Sequence, residues 1–394
     1  MSNLRLSELE RQFRSQSQFA DGYSALYASL FAIVAGWLAG GEGDPLVKWL
    51  LEASAGRAPL DVTLLLMAGL HREVLAGRGG DLASYYPTAI AAAPEVAARR
   101  TLAVTLPVAL REAIMARRES LAEFIRTANV QTNETGRGLA WLLPVACLGW
   151  PAIHLVELGA SAGLNLVADR RSYRIADAAD PARTIVQLGG DPPQFTALAR
   201  GAAEVPSVAC CPSVRSRIGV DISPFALHSA GDELTLASFV WGDQVWRMGK
   251  LREGIAALRE AESSAAPVSV RPLRLPHELP RFLASELPQP IGAPVVIYNT
   301  VVTMYLPDRG ASLRGMIAEW AVMQVVPVLW VQWEPWWDGP PPPGKEWQAW
   351  TADYWPNDGG PAGHRFHLAW VHPHGTAIEW APGWAEFLRI TMQS

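Results

Sequence analysis

The sequence predicts an α/β protein in two parts: an all-helical N-terminal lobe over residues 1–127, and a doubly wound sheet domain over residues 128–394 that closes in an antiparallel C-terminal hairpin. Three observations carry this. Residues 1–127 show apolar spacings of three and four with no β-rich run, which is helical periodicity. After Ala128, short continuous apolar runs alternate with helical ones, the pattern of a parallel sheet covered on both faces. The last two β-like runs, 364–372 and 376–380, are joined only by Pro373-His374-Gly375, which reads as a hairpin.

In the lobe, Leu6, Leu9 and Phe13 form the first stripe. Residues 23–41 carry no charge, but Tyr27, Leu30, Phe31, Val34 and Leu38 recur at helical spacing, opposite the small Ala25, Ala28, Ser29 and Ala32. A buried helix explains this better than a membrane span, because the stretch is barely of spanning length. Asp44-Pro45 reads as an N-cap followed by proline at the first helical position. Asp61 is expected to cap the next helix, which runs to Leu75 and breaks at the glycine-rich 77–80. From Pro94 one stripe runs through Val96, Leu102, Leu106, Leu110, Ile114, Leu121 and Phe124, with Pro107 expected to kink or split it. In the sheet domain the strand candidates are 153–158, 217–221, 268–273, 294–299 and 325–333. Helical patterns lie at 164–171, 245–261 and 313–322, and residues 171–212 read as an insertion. The proline run 339–344 reads as a stiff exposed loop.

Composition narrows the function classes. The 394 residues are 49% hydrophobic and 18% charged, enough for a large core and far from a disordered chain. A net charge of −5 provides no basic field for nucleic acid, so a small-molecule partner is expected, with no nucleic acid and no membrane. Three cysteines, two of them adjacent (Cys210, Cys211), make neither a disulfide framework nor a paired zinc signature. Arg5, Glu8, Glu10 and Arg11 interrupt any N-terminal apolar run, and a cytoplasmic location is expected. Eleven of the 17 tryptophans lie from Trp320 onward, as core or as an aromatic wall around a ligand.

Ile153-His-Leu-Val-Glu-Leu-Gly-Ala-Ser-Ala-Gly163 is a strand entering a tight turn before a helix. As a cofactor loop for S-adenosylmethionine, it places Gly159, Ser161 and Gly163 at the three small positions of G-x-G-x-G, with Glu157 as the acid at the strand end and Asn165 following. Asp221 and Ser223 in Ile218-Gly-Val-Asp-Ile-Ser-Pro224 would end the second strand, Asp221 facing the ribose. Alternatively residues 184–188 are that strand and Asp191 the acid. As a serine hydrolase, the same residues satisfy G-x-S-x-G, with Ser161 as nucleophile, an acid from Asp308, Asp338 or Asp353, and His367, His372 or His374 as base. Against this, Glu157 puts a carboxylate in a strand that hydrolases keep apolar. A dinucleotide fingerprint needs glycines where Ser161 and Ala162 stand. A turn that joins strand to helix and binds nothing is the remaining reading.

Five parallel strands followed by a hairpin is the element order of a methyltransferase-like (Rossmann-like) sheet. Residues 129–137 (NVQTNETGR), Val156–Asn165, Tyr85-Tyr-Pro87, Gly219–Pro224, Trp241-Gly-Asp-Gln244 and Tyr298-Asn-Thr300 with Tyr305 together resemble a bacterial family known as a domain of unknown function. The resemblance covers nearly the whole chain. It implies a helical N-terminal lobe and a methyltransferase-like sheet domain, with Ser161 at the middle glycine position.

Further candidates follow from position. Gln131, Asn133, Glu134 and Arg137 form a polar cluster before the sheet domain, expected either to close over a ligand from the lobe or to bond lobe to sheet. Asn299 and Thr300 follow the fourth strand, where ligands of open α/β sheets bind. Tyr305, Trp241 and Asp243 are candidates to face a methyl acceptor, and Glu334 is a candidate base or a loop anchor. The histidines at 364, 367, 372 and 374 lie in a hairpin without acid or cysteine at metal-ligand spacing, so no metal is expected.

Overall fold

A computed structural model describes residues 2–99, 105–131, 134–201, 211–287, 292–337, 339–344, 346–356 and 363–391. The chain divides into two compact units: residues 1–132 with 226–249, and residues 133–225 with 250–394. Segment 226–249, which the sequence placed in the sheet domain, therefore groups with the helices.

The helical unit is built from Ser2–Ala20, Ala25–Ala39, Pro45–Ala53, Pro59–Leu75, Pro87–Ala92, Leu106–Ala116, Arg118–Thr127 and Ala230–Ser238. The uncharged stretch forms Ala25–Ala39 and buries Tyr27, Leu30, Phe31, Val34 and Leu38 against Leu9, Phe13 and Leu66. No helix of the described residues is long and apolar enough to cross a membrane. Asp44 caps as expected, its carboxylate accepting from the Leu46 amide at 2.9 Å. One expectation is corrected. Asp61 sits inside the first turn of a helix whose cap residue is Ala58, because Pro59 already takes the first helical position. Of the two outcomes expected at Pro107 the split is the one found: Pro107 lies in the first turn of a new helix, and the stripe from Pro94 is three pieces, Pro94–Arg99, Leu106–Ala116 and Arg118–Thr127. Leu102 of that stripe lies outside the described residues.

His71 is sealed in this unit. Its Nε2 lies 2.8 Å from the Thr88 hydroxyl and its Nδ1 3.2 Å from the Ser238 carbonyl. Burial lowers its pKa to about 4. The folded state thus holds the neutral ring, while the unfolded chain takes up a proton near pH 6.5. Stability from this site is full above about pH 6.5 and falls as pH drops toward 4, by roughly 3 kcal/mol. Urea titrations of wild type and His71→Gln at pH 7.5 and 4.5 check this. A wild-type pH loss no larger than the variant's would show that another group carries it.

Among the described residues the sheet unit contains eleven strands: β1 Ala152–Leu158, β2 Tyr173–Asp177, β3 Thr184–Leu188, β4 Phe195–Arg200, β5 Ser213–Asp221, β6 Val268–Pro272, β7 Val295–Thr300, β8 Val328–Glu334, β9 Gln348–Trp355, β10 His364–Val371 and β11 Ala377–Trp380. They form one mixed sheet in the order β3-β2-β4-β11-β10-β9-β8-β7-β1-β5-β6. The run β6-β5-β1-β7-β8 is wholly parallel. The chain leaves β1 for β5 and β6 on one side, then returns to β7 and β8 on the other, so order reverses beside β1. The expected hairpin is present, with β10 and β11 antiparallel through Ala369–Trp380 and Val371–Ile378.

The sheet departs from the expected order in three ways. β9, which the sequence reading missed, pairs antiparallel with both β8 and β10. Region 171–212 supplies β2, β3 and β4, and β11 pairs in parallel with β4, so the hairpin does not end the sheet. Residues 184–188 are edge strand β3, and it is β5, ending in Asp221, that neighbours β1. The helix expected at 164–171 is only the 3-10 segment Leu164–Arg170, irregular at Val167. Arg217 crosses this segment, donating to the Leu166 carbonyl and gripping Asp169 with two 2.6 Å bonds.

Each face of the sheet has its own core. On one face Leu155, Tyr298, Val331, Trp333 and Trp350 pack with Trp141 and Trp384. On the other, Val156, Ile218, Ile297, Val328 and Trp330 pack with Leu313 and Ile317 of the helix Ala311–Ala321. By the alternation of strands, Glu157 belongs to the first face and Asn299 to the second.

Candidate functional site

The turn after β1 is fastened to β5. Gly159 and Ala160 donate their amides to the Val220 carbonyl at 2.7 and 3.0 Å, and Gly163 donates to Ala160 at 2.7 Å. Ser161 donates its amide to Asp221 Oδ2 at 2.8 Å, and Ser223 donates to Oδ1 at 2.9 Å. Gly159, Ser161 and Gly163 all have positive φ. Glycine is required at 159 for a second reason: a Cβ there would lie 2.2 Å from a Val302 methyl. With these amides held inside the fold, the turn presents no row of N–H groups to a pyrophosphate, which disfavours a dinucleotide. Asp221 keeps one lone pair on each oxygen after accepting its two amides. Ile222, the next residue, is 73% exposed, an open apolar surface beside a half-buried carboxylate.

Beneath the turn lies Glu157, 2% exposed. Burial pushes its carboxyl up to about 8; Tyr298 and Asn165 oppose this, the Asp221 charge adds to it and Arg137 counters it. The carboxyl is therefore protonated at neutral pH. Glu157 Oε2, Asn165 Oδ1 and the Tyr298 hydroxyl are all buried, and the Tyr298 and Asn165 side chains face the Glu157 carboxyl. Such atoms normally pair with protein, water or ligand. β1, β7 and the segment Leu164–Arg170 bring the three together.

Of the polar cluster before the sheet, Glu134 and Arg137 are built into the sheet unit rather than reaching from the lobe. Arg137 Nε donates to the Pro373 carbonyl at 2.9 Å, and Glu134 Oε2 lies 2.9 Å from His374 Nδ1. Gln131 belongs to the helical unit, and Asn133 lies outside the described residues.

Asn299 and Glu334 form a bracket rather than an acceptor surface. Glu334 accepts from Asn299 Nδ2 at 2.7 Å, from the amides of Val302 and Thr303 at 2.8 and 3.1 Å, and from the Thr303 hydroxyl at 2.8 Å. Asn299 Oδ1 accepts from Trp330 Nε1 at 2.7 Å. The bracket holds Val301 at φ 58, which a β-branched residue adopts only under constraint. Burial raises the Glu334 pKa while these donors oppose it. Its lone pairs are filled by the loop, so the anchor reading replaces that of a base. Tyr305, beyond the loop, is exposed.

Asp243 and Trp241 lie in the helical unit and serve it. Asp243 accepts from the Ser24 hydroxyl at 2.6 Å, at the start of the helix Ala25–Ala39, and the Trp241 ring stacks on Tyr27 at 4.7 Å. The late histidines have partners of their own: His367 the Ala369 carbonyl, His372 the Glu346 carboxylate and His374 Glu134. Asp308 is taken up by the amides of Gly310 and Ser312, Asp353 by Arg314, and Asp338 lies outside the described residues. Among the described residues no group of three or more His, Cys, Asp or Glu is placed to hold a metal.

These features define an α/β protein with a mostly parallel sheet, whose polar residues gather at the carboxyl ends of β1, β5, β7 and β8, where the strand order reverses. The chain belongs to the family described as "Uncharacterized protein conserved in bacteria (DUF2332)", which it matches over residues 10–380. No curated protein and no solved structure matches it.

Proposed function

We propose that the sheet unit is an S-adenosylmethionine-dependent methyltransferase of Rossmann-like type acting on a small molecule. One observation carries the reading: the glycine-bounded turn after β1 is tied to a carboxylate at the end of the adjacent parallel strand, with an exposed aliphatic residue directly after it. The residues fit a nucleoside cofactor without phosphates. Asp221 has acceptor capacity left for ribose hydroxyls, and Ile222 offers a surface for a base. Beneath the turn, Glu157, Asn165 and Tyr298 form a buried polar group that supports it. Bound there, the cofactor supplies an electrophilic methyl group. The chain's share is to hold and orient, and alignment supplies much of the rate in such a displacement. Ser161, Gly159 and Gly163 set the backbone, and Ser223 fixes Asp221.

Calorimetric titration with S-adenosylmethionine and S-adenosylhomocysteine tests the proposal, with a Kd of about 1–100 μM expected. Asp221→Ala is a poor probe because it also frees the turn. Ile222→Glu is a better one. It should weaken binding at least about tenfold and leave the melting temperature unchanged, since the side chain is exposed. Absence of binding to either ligand overturns the proposal. One observation favours the hydrolase reading, the positive φ of Ser161; labelling of Ser161 by a fluorophosphonate would put that reading in its place.

A further inference from the structure

On the face of the sheet opposite Glu157, an open cleft of about 380 Å³ runs between the start of the helix Ala311–Ala321 and strands β8 to β10. Strand alternation sets its floor. Trp330 and Gln332 of β8 point the same way, and the register puts Gln332 beside Thr351 and Trp330 beside Asp353. Trp336 and Trp337 line the cleft together with Arg309, Arg314 and Arg365.

The acids of the cleft are already engaged. Glu334 holds the loop after β7. Asp308 accepts from Ser312 and Gly310, which lowers its pKa. Asp353, 1% exposed, lies 2.8 Å from Arg314 Nη2. Arg309 and Arg365 make no ion pair among the described residues. Instead their guanidinium groups lie 4.5 Å over the Trp337 ring and 5.8 Å from the Trp336 ring. A guanidinium stacked on an indole is weakly hydrated and keeps its in-plane N–H fork available for a carboxylate. On the floor, Gln332 and Thr351 are buried and line the cleft, and their side chains make no hydrogen bond among the described residues. Indole faces, the Arg309 guanidinium, the Arg365 guanidinium that also faces Asp353 across the β9–β10 register, and two neutral polar groups form one recognition surface. Three arginines and two carboxylates, Asp308 and Glu334, line the cleft, and Arg314 also pairs with Asp353, so the positive excess is small and suits a monoanion better than a phosphate dianion.

We propose that this cleft binds a small aromatic or heteroaromatic carboxylate, its ring against Trp336 and Trp337, its anion on Arg309 and Arg365, and its polar edge toward Gln332 and Thr351. The assignment goes beyond the cofactor reading and stands without it.

The test is calorimetric titration of the full chain, without cofactor, using benzoate, indole-3-carboxylate and quinoline-2-carboxylate, then the three matching carboxamides. At least one carboxylate should bind, and its amide should bind about tenfold more weakly. Arg309→Ala and Arg365→Ala should each weaken binding of that carboxylate by about fivefold or more. Both side chains are exposed, so the melting temperature should hold. Failure of all three carboxylates at up to about 10 mM, or equal affinity for acid and amide, or binding indifferent to both arginines, overturns the proposal. A separate titration with S-adenosylmethionine distinguishes the two ideas. Carboxylate binding without cofactor binding leaves the cleft standing and removes the methyltransferase; the reverse removes the cleft alone.

Discussion

Glu334→Ala is expected to destabilise the sheet unit by about 4 kcal/mol or more. The substitution strands four donors at once: the Asn299 amide group, the amides of Val302 and Thr303, and the Thr303 hydroxyl. Each buried donor left without an acceptor costs about 1–3 kcal/mol. It also releases the bracket on Val301, whose backbone would relax from φ 58. The relaxed loop would no longer fill the space over Gly159, so the effect should reach the turn after β1. Glu334→Gln keeps one acceptor but points an N–H₂ at donors, and should lie between. Denaturant titration gives the stabilities, and hydrogen exchange at Val302 and Thr303 reports the loop. A loss below about 1 kcal/mol for Glu334→Ala would mean that the loop finds other acceptors.

Arg217→Ala should cost a similar amount, about 3–5 kcal/mol, by a different route. The guanidinium is 2% exposed and bridges β5 to the segment Leu164–Arg170 through Asp169 and the Leu166 carbonyl. Removing it leaves a nearly buried carboxylate without its partner. A loss of that size lowers the melting temperature by roughly 10 °C in a unit of this length. The pair also permits a sharper check. Arg217→Leu with Asp169→Leu should be no worse than Arg217→Ala, because removing both charges removes the stranded one. If the double variant is the weaker of the two, lost packing rather than lost charge dominates.

How far the sequence reaches depends on the kind of residue. Continuous apolar runs such as 294–299 mark parallel strands because both faces must be covered, and β1, β5, β7 and β8 were legible on that ground; β6, with Ser269 and Arg271 and no buried residue, lies at the sheet edge and is not explained by it. The hairpin β10–β11 was legible from its turn. β9 was not. Its sequence QAWTADYW sets Gln348, Thr351 and Asp353 among apolar residues, and nothing local says that these polar side chains are buried, because their burial depends on Arg314 and on the strands beside them. The segment Leu164–Arg170 was legible as helical, but not as the short 3-10 form irregular at Val167, which its periodicity does not distinguish.

The candidate site divides in the same way. The turn after β1 and its tie to Asp221 follow from glycine spacing and the end of the next strand. Asn299 and Glu334 were singled out by position, and position alone does not say whether a strand-end carboxylate faces a ligand or a loop; four donors converging on Glu334 decide that. Ile222 is an aliphatic residue of no special type, and only its exposure gives it a role. Arg309, Gln332 and Arg365 carry no motif, because they meet through sheet register and a helix start rather than through spacing along the chain.

The pairing of β11 with β4 has a consequence for how this protein is made. Ala377 lies opposite Leu198, so two strands from distant stretches of the chain share one ladder. β4 leaves the ribosome long before its partner. Until residues 377–380 emerge, β4 has one finished edge and one open edge of unpaired backbone groups, a template for pairing with the wrong chain. Such long-range closure is slow in sheet proteins. The nascent chain therefore passes through a window in which its five parallel strands and the β2–β4 patch are present but not yet joined, when a holding chaperone would matter most.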